Sequence, residues 1–245
     1  MKVVALIPSR WGSTRFPGKA LTRILGRPMI EHVYVRSLAI EGVDEVCVAT
    51  DNQEIQRTVE EFGGRSLMTA SNHPSGSDRL AEASDILGLA DEDIVLNIQG
   101  DQPAFNPQQP ALLVEPLKND VTLEMATLAL PLTDTREIHN PNHGKVVFNA
   151  EGYALYFSRA PIPWPRDGEE SYYKHIGIYA YRVGFLRRFV KLPEGRLERI
   201  ERLEQLRALE SGARIKVLLV DGLSPEVDVP QDVSSAEEVL RGENN

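Results

Sequence analysis

The sequence predicts an α/β fold in which a mixed sheet is flanked by helices and carries a smaller antiparallel extension. Short apolar runs rich in β-branched residues alternate with helix-period segments through the first half of the chain, the pattern of repeated strand–helix units. From Glu124 the rhythm changes, and strand-like runs follow one another with only turns between them. At 245 residues the chain suits one large domain, so we read 1–245 as a single domain with the extension at about 124–190.

The first strand is the run at 3–7, which Pro8, Ser9 and Arg10 stop well short of a signal-peptide core. A helix over 28–40 follows, with Pro28 in its first turn and Met29, Ile30, Val33 and Leu38 as an apolar stripe. The second strand is 45–49. The next helix, 51–62, opens after Thr50 and Asp51, which can cap its amides, and closes at Gly63 and Gly64. Helices at 78–87 and 107–117 bracket a third buried strand at 94–98. Parallel strands of this kind bring their C-terminal ends to one edge, where ligands bind. In the second half, strands are expected at 125–130, 145–149, 153–158 and 174–181. Tyr153, Tyr156, Phe157, Tyr172, Tyr173, Tyr179 and Tyr181 concentrate there, suiting a second core layer or a subunit interface. A helix at 196–210 turns Leu197, Ile200, Leu203, Leu206 and Leu209 inward, and a strand at 215–220 and a helix at 231–240 close the chain.

With 27 Lys+Arg against 36 Asp+Glu, the net charge of −9 disfavours general binding of nucleic acid or an anionic membrane. Any polyanionic ligand must therefore meet a local basic site. No stretch approaches the ~20 apolar residues that cross a bilayer. The lone Cys47 excludes an internal disulfide and a multi-Cys metal site and fits a reducing compartment, so the expected location is cytoplasmic.

Three segments carry chemistry. The loop 8–19 holds Gly12 and Gly18, hydroxyls, and the cations Arg10, Arg15 and Lys19. Leaving the C-terminal edge of a parallel strand, it suits a polyphosphate, because small residues free backbone amides and the cations neutralise charge. A solvated basic turn is the plain alternative. It is not a Walker loop, since Ala20 stands where Ser or Thr should bind magnesium, and no G-x-G-x-x-G occurs. The second segment, Asn97-Ile-Gln-Gly-Asp-Gln-Pro103, brings Asp101 to the same edge, where it can hold a divalent cation or cap the following helix. The third, Glu226-Val-Asp228-Val-Pro, follows the strand at 215–220. If that strand joins the sheet, Asp228 approaches Asp101, and two carboxylates facing a triphosphate loop make an oxygen-ligated magnesium site.

With these segments, several motifs in order resemble the 3-deoxy-manno-octulosonate (Kdo) cytidylyltransferases over essentially the whole chain: Ser-Thr-Arg-Phe-Pro-Gly-Lys19, His73-Pro-Ser-Gly-Ser-Asp-Arg79, Gln99-Gly-Asp101, Gly152-Tyr-Ala-Leu-Tyr-Phe-Ser-Arg159, His175-Ile-Gly-Ile-Tyr179, Leu203-Glu-Gln-Leu-Arg207 and Val227-Asp228. The resemblance implies a Rossmann-like α/β nucleotidyltransferase fold whose extension serves dimerisation. It implies a homodimer that converts CTP and Kdo to CMP-Kdo and pyrophosphate with Mg²⁺, for lipopolysaccharide assembly. Matched position by position, Arg10, Arg15 and Lys19 correspond to a triphosphate clamp, and Ser75, Gly76, Ser77 and Arg79 to the cytidine side. Asp101 and Asp228 correspond to the magnesium carboxylates; these two and Lys19 are the expected catalytic residues. Arg159, His175, Tyr179, Glu204 and Gln205 correspond to the sugar-acid pocket, with Gln99 between sugar and nucleotide. Read without the resemblance, His175 also fits a core histidine and Glu204 a solvated helix residue. Gln102 and Ala180, where many relatives have Glu and Gly, and a short 167–172 stretch resemble a branch that activates the 8-amino analogue of Kdo. A sugar-1-phosphate nucleotidyltransferase and a noncatalytic nucleotide-binding protein are the rival readings.

Overall fold

The computed structural model describes residues 1–12, 16–167, 171–222 and 225–242. In the first half, strands β1 (Val3–Ser9), β4 (Glu45–Thr50), β5 (Ser66–Met68) and β6 (Ile94–Asn97) alternate with helices α1 (Met29–Leu38), α2 (Gln53–Glu61) and α3 (Gly76–Ile86). A small ribbon of β2 (Arg23–Ile24) and β3 (Arg27–Pro28) precedes α1, and the short helices α4 (Gln108–Ala111) and α5 (Val114–Asn119) follow β6. The second half contains β7 (Met125–Leu132), α6 (Thr135–Ile138), β8 (Lys145–Phe148), β9 (Ala154–Ser158), β10 (Tyr172–Arg182) and α7 (Val183–Phe189). It ends with α8 (Arg196–Glu201), α9 (Gln205–Glu210), β11 (Ile215–Leu219) and α10 (Val233–Gly242).

The main sheet runs β11-β7-β10-β6-β1-β4-β5. Only β10 opposes its neighbours, pairing antiparallel with β6 and β7, while β11 lies parallel to β7 and β1 parallel to β4 and β6. Period-two alternation explains the layers. Val3, Ala5 and Ile7 of β1 face the cluster covered by α1, α2 and α5, whereas Val4 and Leu6 face the one covered by α3, α7 and α9. A third cluster of Ile24, Met29, Ala104, Val227, Ala236 and Leu240 fastens α10 beside the segment after β6.

The antiparallel part is smaller than the sequence suggests. β8 pairs with β9 and with the start of β10, but β7 and most of β10 belong to the main sheet, and α6 rather than a turn alone separates β7 from β8. Two expected helices are each divided. Within 107–117, Leu112 and Leu113 bond back three residues, and Pro116 has no N–H to return to the Leu112 carbonyl. Within 196–210, Arg202 takes the left-handed conformation (φ 54°), ending α8 and turning Ile200 outward at 65% exposure instead of into the core. Helix α2 is capped by the Asn52 side chain, which accepts from the amides of Glu54 and Ile55, so Thr50 and Asp51 do not perform that task. Helix α3 begins two residues early because Ser75 caps it. The short strand β5 and helix α7 are additional to the elements expected from the sequence.

Candidate active site

The parallel strands deliver their C-terminal ends to one cleft of about 340 Å³ lined by Ser9, Arg10, Lys19, Ser75, Gly76, Gln99, Asp101 and Asp228, among others. Gly100 allows the crossing: a Cβ there would stand 3.2 Å from the carbonyl oxygen of Pro8 at the end of β1. Gly18, at φ 68°, turns the loop tightly under the Trp11 ring and starts the single 3-10 turn that carries Lys19. The Lys19 ammonium then donates to Asp101 Oδ2 at 2.8 Å and to Asp228 Oδ1 at 3.3 Å. The Val227 amide bonds the Asp101 carbonyl at 2.9 Å, tying the two carboxylate-bearing segments together directly. β11 does join the sheet, which meets the condition set for Asp228 to approach Asp101. Arg15 lies outside the described residues.

On the nucleotide side, Ser75 and Gly76 present the N-terminus of α3 to the cleft, where its free amides favour an anion. Arg79 also lines the cleft. It is 3% exposed, and its guanidinium binds Asp51 Oδ2 at 2.7 Å and Thr69 Oγ1 at 2.5 Å, so it braces the wall. Ser77 does not line the cleft; its buried hydroxyl donates to Glu204 Oε2 at 2.8 Å.

The residues expected around a sugar acid separate into three groups. Gln99 lines the cleft and donates to the Gly177 carbonyl at 2.7 Å, linking β6 to β10. His175 and Tyr179, both half-buried, and the buried Gln205 form a network behind it: the Tyr179 hydroxyl donates to Gln205 Oε1 at 3.2 Å, and Gln205 Nε2 lies 3.4 Å from His175 Nδ1. Burial pushes the His175 ring down to about 3, so it is neutral, and pushes the Tyr179 phenol well above its ordinary value. Glu204 sits next to them, its carboxyl raised by burial against the opposing hydrogen bond from Ser77. Arg159 departs from the expected arrangement. It does not line this cleft, and its guanidinium donates to the carbonyls of Glu201, Pro141, Asn142 and Arg202. In that position it ties β9 to the turn between α8 and α9.

The sequence reading missed Asp51, Thr69 and Thr127, which support the site from behind. Asp51 read as a helix cap, and Thr127 stands in an apolar strand with no motif around it. Among the described residues no group of three or more His, Cys, Asp or Glu side chains gathers as a metal cluster.

A phosphate-suited loop, a helix N-terminus and a cation between two carboxylates, all at the edge of a doubly wound sheet, define a nucleotidyltransferase. A family model described as Cytidylyltransferase matches residues 4–215. The chain is 51% identical over 243 residues to 3-deoxy-manno-octulosonate cytidylyltransferase of Syntrophus aciditrophicus (strain SB), covering 98% of each. It is also 51% identical over 239 residues to 8-amino-3,8-dideoxy-manno-octulosonate cytidylyltransferase of Shewanella pealeana (strain ATCC 700345 / ANG-SQ1), covering 97% of this chain and 98% of the relative. A solved CMP:2-keto-3-deoxy-manno-octonic acid synthetase complexed with CTP superposes with a TM-score of 0.95 at 42% identity, covering 99% of this chain and 100% of that one. The chain belongs to the cytidylyltransferase family and, within it, to the 3-deoxy-manno-octulosonate cytidylyltransferases.

The raised Glu204 carboxyl has a measurable consequence for stability. Its folded form holds a proton more tightly than the unfolded chain, so the wild type loses stability as pH rises from the unfolded value near 4.5 through the folded one. Glu204→Gln mimics the protonated state. Urea unfolding should give equal midpoints for the two proteins below that window and a more stable variant above it; a gap independent of pH would contradict the burial of Glu204.

Proposed function

We propose that the protein transfers the cytidylyl group of CTP to the anomeric hydroxyl of 3-deoxy-manno-octulosonate, giving CMP-Kdo and pyrophosphate for lipopolysaccharide synthesis. The observation that carries the reading is Lys19 held between Asp101 and Asp228 in the cleft, within a chain 51% identical to a Kdo cytidylyltransferase. Arg10 and Lys19, with Arg15 from the same loop, neutralise the triphosphate, and the amides at the start of α3 receive the nucleotide side. The acceptor hydroxyl attacks the α-phosphorus in line and gives up its proton to solvent, the bond from that phosphorus to the bridging oxygen breaks, and pyrophosphate leaves against the cationic loop. Phosphoryl chemistry of this kind is chiefly positioning and charge stabilisation, so no covalent enzyme intermediate is required.

Asp101 and Asp228 suit Mg²⁺. They are hard oxygen donors on two segments fixed to each other, and they already embrace one cation, the Lys19 ammonium. When bound, the metal would supply phosphate-charge neutralisation and a lowered pKa for a coordinated hydroxyl. Gln99, reaching from the cleft to the Gly177 carbonyl, connects nucleotide and acceptor, and His175, Tyr179, Glu204 and Gln205 offer hydrogen bonds to sugar hydroxyls. Arg159 matches the family position for the sugar carboxylate, and serving there requires it to leave some of its present carbonyl partners. A reducing, CTP-containing compartment suits the buried Cys47 thiol, so we place the enzyme in the bacterial cytoplasm.

The second reading is the same transfer to the 8-amino acid. The relatives named for either substrate are equally similar to this chain, and Glu204, whose Oε1 lies 3.9 Å from Arg207 Nη2, would have to turn from that partner to meet an ammonium. A panel scored by pyrophosphate release should show activity with CTP and Kdo, loss on chelation of divalent cations, and almost none with sugar 1-phosphates, whose anomeric hydroxyl is already esterified. A preference above ~100-fold for the 8-amino acid, about 2.7 kcal/mol, would overturn the choice of substrate; release with neither acid would overturn the transfer.

A homodimer is proposed through the antiparallel region. Leu155 on β9 and Trp164 in the loop after it are 62% and 84% exposed, and the interface proposed here would cover them. Sedimentation at micromolar concentration should give about twice 27.3 kDa, and a stable active monomer would contradict it.

A further inference from the structure

Strand β10 carries a bulge where its pairing with β7 shifts between Ile176 and Tyr179. Gly177 lies within it, with open space where a side chain would project. Three successive carbonyls are turned to different tasks there. That of Gly177 accepts from Gln99. Those of Ile176 and Ile178 lie 3.1 and 2.9 Å from Thr127 Oγ1, which is fully buried on β7. The remaining neighbour of this hydroxyl is His175 Nε2, at 3.0 Å.

A hydroxyl has one proton, and a carbonyl oxygen can only accept. If Thr127 donated to His175 Nε2, its oxygen would face both carbonyls with lone pairs alone, in a buried site where unpaired polar contacts cost most. The proton therefore goes to a bulge carbonyl, and His175 Nε2–H donates to Thr127 Oγ1. A neutral imidazole with Nε2 protonated has a bare Nδ1, which accepts from the Gln205 amide. That turns Gln205 Oε1 toward Tyr179, whose hydroxyl donates to it. The chain of donors thus runs one way, from Tyr179 through Gln205 and His175 to Thr127 and the backbone.

We infer that Thr127 is a positioning residue for the acceptor site: with the bulge carbonyls it holds His175 as the Nε2–H tautomer and so orients Gln205 and Tyr179. The inference rests on the placement of the sugar acid beside these residues under the proposed function. Its effect on specificity is concrete. The proton of Tyr179 is engaged, which leaves its oxygen as an acceptor, while Gln205 keeps a second N–H for donation. An acceptor sugar would have to present a hydroxyl donor to the first and an oxygen to the second.

The test uses the full-length protein labelled with ¹⁵N-histidine at pH 7, without substrate, the His175 signals being assigned by their loss in His175→Gln. The expected spectrum has His175 Nε2 in the protonated, pyrrole-like range and Nδ1 in the unprotonated, pyridine-like range. Thr127→Val should release the tautomer preference and raise KM for the sugar acid about tenfold, the scale of a lost supporting hydrogen bond, while KM for CTP changes little. Thr127→Ser should restore both the spectrum and KM. An Nδ1–H or doubly protonated His175 in the wild type overturns the inference, and decides the matter alone if Thr127→Val does not fold. Equal increases in KM for acid and CTP, or no rescue by serine, also overturn it, since they indicate a structural role only. The expected tautomer in a protein inactive with either acid would instead overturn the proposed function and leave the direction of the network standing.

Discussion

The contact of Lys19 with both Asp101 and Asp228 is the interaction around which the rest of the site is arranged. It joins three segments far apart in the chain, and each arrives by a different device. Gly18 throws Lys19 inward from the loop after β1, Gly100 lets the end of β6 pass within van der Waals reach of Pro8, and the cluster beneath α10 holds Val227 against Asp101. Two carboxylates brought this close repel each other, and the ammonium between them offsets that repulsion in a partly sheltered cleft. Under the proposed transfer, a triphosphate would compete with the same carboxylates for Lys19.

Around this contact stands a set of side chains that bond to other parts of the protein. Arg79 holds Asp51 and Thr69 to the start of α3, and Ser77 connects that helix to Glu204 at the head of α9. Gln99 reaches from β6 to the β10 bulge. Because β10 is the one strand of the main sheet opposed to its neighbours, its bulge can present carbonyls to the cleft side and to Thr127 in successive residues. Side-chain hydrogen bonds thus tie the start of α3 to the head of α9 and the segment after β6 to β10.

Much of this was readable in the residues themselves. Alternating apolar runs identified the central strands, and a cationic glycine loop with two later carboxylates pointed to a single edge. What the sequence did not show were non-local choices. Arg202 adopts a left-handed cap inside a helix-period segment, where the Arg159 guanidinium bonds the carbonyls of Glu201 and Arg202, a long-range arrangement that local propensity does not report. Strand β7 reads like its antiparallel neighbours yet joins the main sheet, because alternation reports burial and not partners. Arg79 and Arg159 have the chemistry of ligand-binding cations, but only the fold reveals that their guanidinium groups hold protein acceptors. Thr127 carries no local signal at all: its task comes from a bulge in a strand some fifty residues later in the chain.

The central claim is that Asp101 and Asp228 act as one unit on one cation site. A double-mutant cycle of turnover with CTP, comparing Asp101→Asn, Asp228→Asn and both together, tests it most directly. Each single change should lower kcat by at least ~100-fold, and the double variant should lose little beyond the worse single. Losses that multiply across the two sites would mean that the carboxylates perform separate tasks and would contradict this account.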